Sequence, residues 1–358
     1  MKHQKHINLF ILGFGKVGQA LVRQLLSASA QRDTFSLNFH IVGLADSRAL
    51  LYHAGGLTTT QIQSALDHKK QGLSLERIDS THAVDGINTL LNPGDILVDT
   101  SASPYTMPQL LRAVEVQAGV VLANKIPLCG TWADTSRLFS YPLLRYEATV
   151  GAGLPVIDTL KSLLETGDRP QSITGCLSGT LGYLCSCLEA GVPYSQAVRD
   201  ALSLGYTEPD PRQDLGGMDV ARKAVILSRT AGIPAELSNL SVEPLYPMEL
   251  EKVSTSEFLQ LAAREDAYYT GLVSQAAAEQ KVPRYTARVT PDGIQIGLSL
   301  VDRTGSLGSL KGPDNYIALQ TDRYSQSPLV ISGPGAGIEV TAAGVFSDVI
   351  RLARERYR

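Results

Sequence analysis

The sequence predicts an α/β fold, a doubly wound parallel sheet joined to a second, α+β domain. Three observations carry that prediction. From residue 7 to about 145, short apolar runs fit for buried strands alternate with helical spacing. At 146–155 the alternation breaks into Y-E-A-T-V-G-A-G-L-P. From about 265 to 325 the chain reads as short strands with turns between them.

The first strand is 7–12, and it runs into Gly13, Gly15 and Gly18, a G-x-G-x-x-G. Val17, Ala20, Leu21 and Leu25 follow at helical spacing. The glycines therefore sit between a strand and a helix, the context that a dinucleotide fingerprint requires. Gly13 permits a tight turn, Gly15 lets the backbone approach a pyrophosphate, and Gly18 allows close helix–strand packing. The free N–H groups and the dipole of the new helix face the phosphates. The bland alternative is a glycine turn that binds nothing. Lys16, inside the fingerprint, is counted with the candidate cofactor contacts.

The second strand, 39–45, ends at Asp46, with Arg48 close behind. An acid here takes the ribose 2′-hydroxyl of NAD, whereas an arginine holds the 2′-phosphate of NADP. The two residues point to opposite cofactors, and the choice stays open. A strand at 95–99 delivers Thr100 and Ser101, and one at 119–123 delivers Asn124 and Lys125. Ligands of open α/β sheets sit beyond the carboxyl ends of strands, so these groups are placed to meet a nicotinamide or a substrate. Covering helices are expected at 109–116 and 131–139.

In the 146–155 loop, small residues beside Glu147 leave carbonyls available, and such a loop can wrap a cation with oxygen ligands or serve only as a turn. A helix at 154–164 and a strand at 172–177 lead into S-G-T-L-G-Y, where the N–H groups of Gly179 and Thr180 can receive a carboxylate. Helices are expected at 194–204 and 217–231. The chain closes with a strand at 328–332, G-P-G-A-G at 333–337, and a helix through 351. The tail is expected to pack back on the first domain. The expected division is 1–150 with 328–358 for dinucleotide binding, and 151–327 for substrate binding and dimerisation.

The stretch richest in chemistry is G-Y-T-E-P-D-P-R-Q-D-L-G-G-M-D-V-A-R-K, residues 205–223. It gathers Glu208, Asp210, Asp214, Asp219 and Lys223. Pro209 and Pro211 mark a loop, and the second part reads as a helix. Asp219 and Lys223, four apart, share a helix face. An ammonium beside a carboxylate, with further acids from the preceding loop, can bind a polar substrate and move a proton. The same spacing is common on solvated helices, where a pair is worth only about 0.2–0.5 kcal/mol.

Composition narrows the alternatives. The 358 residues suffice for two domains, and 44% hydrophobic with 19% charged residues is ordinary for a globular protein. A net charge of −3 gives no general attraction to nucleic acid. No segment reads as a signal peptide or a membrane span, so a cytoplasmic protein is expected. Cys129, Cys176, Cys185 and Cys187 lack zinc-site spacing and read as reduced thiols. None of the six histidines follows residue 82, so proton transfer in the central motif falls to lysine or a carboxylate.

Taken together, G-F-G-K-V-G, N-K, Y-E-A-T-V-G-A-G-L-P, S-G-T, the 205–223 motif and G-P-G-A-G-I-E-V-T-A-A-G-V-F resemble homoserine dehydrogenase. The resemblance is closest to the dehydrogenase portion of bifunctional aspartokinase–homoserine dehydrogenases, without a kinase or ACT domain. It spans residues 7 to about 352 and is loose over 232–327. It implies reversible NAD(P)H-dependent reduction of L-aspartate-4-semialdehyde to L-homoserine, in threonine and methionine biosynthesis, by a homodimer. Lys223 matches the proton donor, Asp219 and Glu208 bind substrate, Asp214 supports them, and Lys125 stands near the reacting oxygen. Tyr206, Gly179 and Thr180 join the substrate contacts. Gly13, Gly15, Val17, Thr100, Lys125 and Gly335 match cofactor contacts. Glu147, with the oxygens of Val150, Ala152 and Leu154, matches a monovalent cation site, usually sodium. Ser178 and Gly182 replace asparagines found in other branches. Two other classes stay open: a different Rossmann oxidoreductase of a small carbonyl, and a non-catalytic nucleotide sensor.

Overall fold

The computed structural model describes residues 6–30, 37–78 and 81–356. The basic start, residues 1–5, lies outside the described residues. Contacts divide the chain into two compact units, Met1–Gly153 with Ala336–Arg358, and Leu154–Gly335.

The first unit is built on a seven-stranded sheet. Its strands are β1 (His6–Leu12), β2 (Asn38–Ala45), β3 (Leu50–Tyr52), β4 (Thr81–His82), β5 (Ile96–Asp99), β6 (Gly119–Leu122) and β7 (Leu144–Arg145), in the order β4-β3-β2-β1-β5-β6-β7. The five from β2 to β7 are parallel, and β3 and β4 add an antiparallel edge. Every residue of β5 and β6 is buried, as continuous apolar runs under helices should be. The chain leaves β1 toward β2 and returns to β5 on the other side of β1. The switch point of the sheet thus lies between β1 and β5, the place beyond whose carboxyl ends open α/β sheets bind their ligands. The edge strands β3 and β4 escaped the sequence reading because three and two residues carry too little alternation to register.

The second unit holds an antiparallel sheet of β8 (Pro170–Cys176), β9 (Lys281–Thr290), β10 (Gly293–Asp302), β11 (Asp314–Thr321) and β12 (Leu329–Pro334), in the order β10-β9-β8-β11-β12. Two expectations are corrected here. The tail divides: the Ile338–Arg356 helix packs into the first unit's core through Ala342, Val345, Val349 and Leu352, but β12 pairs antiparallel with β11 in the second sheet. A strand followed by a glycine turn and a helix is a local pattern, and it does not choose the strand's partner. The region expected to be all short strands opens instead with the helix Asp266–Ala278, which buries Tyr269 and Ala276. Its adjacent tyrosines resemble a strand, but its alanine- and leucine-bearing second half favours helix. Among the described residues, no helix is long and apolar enough to cross a membrane.

Candidate active site

In the first unit the glycine fingerprint folds as a tight turn between β1 and the Lys16–Ala30 helix. Gly13 has φ +92°, and a Cβ there would lie 2.4 Å from the Ser101 amide nitrogen. A Cβ at Gly18 would lie 2.6 Å from Gly13 O and 2.9 Å from Thr100 Oγ1. The end of β5 is therefore pressed against the turn, and only glycine fits at both positions. Thr100 Oγ1 donates to Gly13 O at 2.9 Å, which locks the contact. Gly15 is different: nothing lies within 4 Å of where its Cβ would stand. A tight, immobilised turn with one bare backbone position fits a pyrophosphate, so the residues present suit a dinucleotide. Lys16 is exposed and Val17 half-buried in the first turn of the helix.

Asp46 does not present a free acceptor. Its carboxylate is 8% exposed. It accepts from the backbone N–H groups of Arg48 (2.9 Å), Ala49 (3.1 Å) and Leu75 (2.9 Å), and pairs with Lys69 Nζ at 2.9 Å. Burial alone pushes its pKa up, but these four donors outweigh burial and hold it below the ordinary 3.8. The expectation of a ribose contact is corrected accordingly: the group is a structural cap whose lone pairs are committed inside the protein. Arg48 stays 69% exposed, 3.6 Å from Glu76.

Beyond β5 and β6 lies a network that the sequence reading missed. Asp99 is fully buried and accepts from Ser101 N (2.9 Å), Ser101 Oγ (2.6 Å) and Asn124 Nδ2 (3.1 Å). Asn124 also donates to Ser103 O at 2.8 Å and accepts from Ile126 N at 3.1 Å. Burial pushes the Asp99 pKa up against those hydrogen bonds. The network ties the Thr100–Ser101 loop to the loop bearing half-buried Lys125. Asp99 sits in an apolar strand of four residues, and an acid at such a strand end was the available signal.

Glu147 is 4% exposed; its N–H donates to Asp348 Oδ2 at 2.8 Å, and Arg351 lies 4.0 Å from its carboxylate. Gly151 (φ +80°) and Ala152 (φ +54°) are consecutive left-handed residues, which turn successive carbonyls apart after Val150. Among the described residues, no cluster of three histidine, cysteine or acidic side chains is disposed to hold a metal ion. One carboxylate with backbone oxygens suits a hard monovalent cation better than a transition metal. Leu154 begins the second unit.

In the second unit, the central motif folds as a helical turn, Arg212–Leu215, and then the helix Met218–Thr230. Gly217 joins them at φ +71°, and a Cβ there would lie 2.1 Å from the Tyr285 hydroxyl oxygen. Lys223 is 7% exposed. Its Nζ donates to Leu177 O at 2.6 Å and to Asp219 Oδ2 at 2.8 Å. The Asp219 side chain is 45% exposed. The pair is thus no solvated decoration: a buried ammonium is held between a strand-end carbonyl and a carboxylate that opens outward. Asp214 Oδ2 accepts from Glu208 N at 2.8 Å. Burial pushes the Asp214 pKa up, the Glu208 N–H opposes that, and the charges of Glu208 and Asp219 add to it.

The remaining predicted residues fall into two groups. Thr180 Oγ1 donates to Tyr206 O at 2.5 Å, joining the start of the Gly179–Glu189 helix to the 205–208 turn, and Glu208 is exposed on that turn. Asp210, by contrast, is spent on Arg212, which also donates to the carbonyls of Leu250, Glu251 and Val253. Gly335 lies in the second unit, where a Cβ would strike the Asn315 side chain at 1.8 Å; packing accounts for that glycine. Leu177 was not foreseen, because it acts through a carbonyl that every residue carries.

A family model described as homoserine dehydrogenase matches residues 155–350. The homoserine dehydrogenase of Saccharomyces cerevisiae is 35% identical over 362 residues, which is 98% of this chain and 99% of the yeast one. The chain belongs to the homoserine dehydrogenase family. Bifunctional aspartokinase/homoserine dehydrogenase 2 of Zea mays is 38% identical over 353 residues, 96% of this chain; the match spans 38% of the maize protein's length. Among solved structures, a hyperthermophilic archaeal homoserine dehydrogenase in complex with NADPH aligns with a TM-score of 0.74 over 98% of both chains. At 23% identity that likeness is one of fold. The motifs that carried the resemblance thus lie in a chain of the homoserine dehydrogenase family, with the glycine turn and the buried lysine each folded as described.

Proposed function

We propose that this chain catalyses the reversible NAD(P)H-dependent reduction of L-aspartate-4-semialdehyde to L-homoserine. The observation that carries the reading is Lys223, buried and held by Leu177 O and an outward-facing Asp219 within the 205–223 motif. Held at the glycine turn of Gly13, Gly15 and Gly18, a nicotinamide cofactor would supply the hydride for the aldehyde carbon. Lys223 donates a hydrogen bond to the carbonyl oxygen as negative charge gathers there, and then its proton. Asp219 balances the ammonium and orients it. Glu208, with Asp214 behind it, receives the substrate's ammonium group. The N–H groups of Gly179 and Thr180 receive its carboxylate, with Tyr206 closing the turn beside them. Lys125 serves as a second cation toward the reacting oxygen.

On the cofactor side, Gly13, Gly15 and Gly18 would cradle the pyrophosphate. Asp46 is sealed by its own donors and Arg48 is exposed, which favours a 2′-phosphate and hence NADP over NAD. Glu147, with the oxygens of Val150, Ala152 and Leu154, would hold a monovalent cation, usually sodium in the family, and the chain would pair as a homodimer through its second domain. The deciding experiment is steady-state oxidation of NADPH and NADH with aspartate semialdehyde. Turnover with a preference for NADPH is expected, and Arg48→Ala should raise the KM for NADPH about tenfold while leaving NADH little changed. Absence of turnover with either cofactor would remove the assignment.

A further inference from the structure

Arg284 is the largest fully buried side chain among the described residues, at 1% exposure in β9. Its Nη2 donates to Glu189 Oε2 (2.7 Å), Gly308 O (2.6 Å) and Leu310 O (2.9 Å), and its Nη1 to Pro283 O (2.7 Å). Glu189 closes the Gly179–Glu189 helix, and its other oxygen accepts from Lys311 Nζ at 2.5 Å. The segment 308–313 then runs back along that helix. Gly312 N donates to Ser186 Oγ at 3.0 Å. A Cβ at Gly182 would lie 2.9 Å from Gly312 O, and one at Gly179 would lie 3.0 Å from Pro313 O. The backbone of the segment occupies the space that side chains at 179 and 182 would take. It therefore touches the helix from its last turn to its first. Residue 314 then enters β11, whose Tyr316 pairs with Cys176 of β8. Between Cys176 and the helix stands Leu177, whose carbonyl holds Lys223.

A buried ion pair is a weak source of net stability, because desolvation offsets its attraction, but its geometry is directional. We propose that Arg284, with Glu189 and Lys311, is a positioning device for the catalytic ammonium: it straps the 308–313 segment along the helix and so fixes the β8–helix junction that presents Leu177 O to Lys223. The inference rests on the reading of Lys223 as proton donor. Arg284→Met should lower kcat with aspartate semialdehyde on the order of tenfold, with the KM for the nicotinamide cofactor unchanged. Arg284→Lys, which keeps the charge but not the planar fork, should recover part of the loss. Should Arg284→Met fail to fold, Lys311→Met decides, because Lys311 is exposed and pairs with the other oxygen of Glu189, with a loss of roughly threefold. Hydrogen exchange, read without turnover, should quicken at amides 178–182, a helix length from the Glu189 end that Arg284 and Lys311 hold. Wild-type kcat and unchanged exchange at 178–182 in folded variants would overturn the proposal. A wild-type protein without turnover would instead sink the functional reading, and the exchange result would still judge the strap.

Discussion

Two Asp–Lys pairs among the described residues are of nearly equal length and opposite construction. Asp46 and Lys69 meet at 2.9 Å, and Asp219 and Lys223 at 2.8 Å. By side-chain exposure, the first carboxylate is buried at 8% and its lysine is the more open partner at 20%; in the second, the lysine side chain is buried at 9% and the carboxylate lies 45% open. Asp46 also takes three backbone N–H groups, which leaves it saturated. Lys223 has one carbonyl and one carboxylate, on a group that carries three donors. The same two side chains seal in the acceptor at one place, and at the other bury the donor beneath a half-open acceptor, the arrangement on which the proposed reaction rests.

The contrast is broken most sharply at Lys223. Lys223→Ala should lower turnover by about 10²–10⁴-fold while cofactor affinity stays near wild type. Steady-state kinetics beside a cofactor titration checks both halves, and unchanged turnover would make the two pairs equivalent. Asp46→Ala should do the reverse: a loss of about 1–3 kcal/mol in denaturant unfolding, with kcat preserved. A variant that keeps its stability but loses cofactor affinity would return Asp46 to the ribose.

The smallest effect is the pH dependence, and its sign differs between two acids. The folded-state pKa of Asp46 lies below 3.8, so its stabilisation is complete above that value and is lost as pH falls through the lowered one. The penalty of Asp46→Ala should therefore shrink on going from about pH 6 to about pH 3. Asp214 is raised above 3.8 by burial, so the folded state binds its proton more readily than the unfolded chain. Its contribution to stability falls as pH rises from 3.8 through the raised value. Unfolding of Asp214→Asn against wild type over the same range should show a difference of the opposite slope.

Much of this was legible in residue order. Gly13, Gly15 and Gly18 after an apolar strand are a local pattern, and the turn they make is local too. Asp219 and Lys223 were placed on one face by the helical repeat alone. Asp46 was misread because its strongest competitors, the Leu75 N–H and the Lys69 ammonium, arrive from 29 and 23 residues away. Asp99 was passed over because its value depends on Asn124, 25 residues on. The strand Leu329–Pro334 was foreseen as a strand and assigned to the wrong sheet, since only pairing with Asp314–Thr321 decides its place.

Sequence by itself determined which segments turn, which coil into helices, and which charged groups stand one helical turn apart, because these follow from torsional preferences and short-range spacing. The tertiary structure alone decided which carboxylate is saturated, which lysine is buried, and which carbonyl it meets. Desolvation and hydrogen-bond geometry depend on neighbours that the chain supplies from far along its length, and those exist only once the molecule has folded.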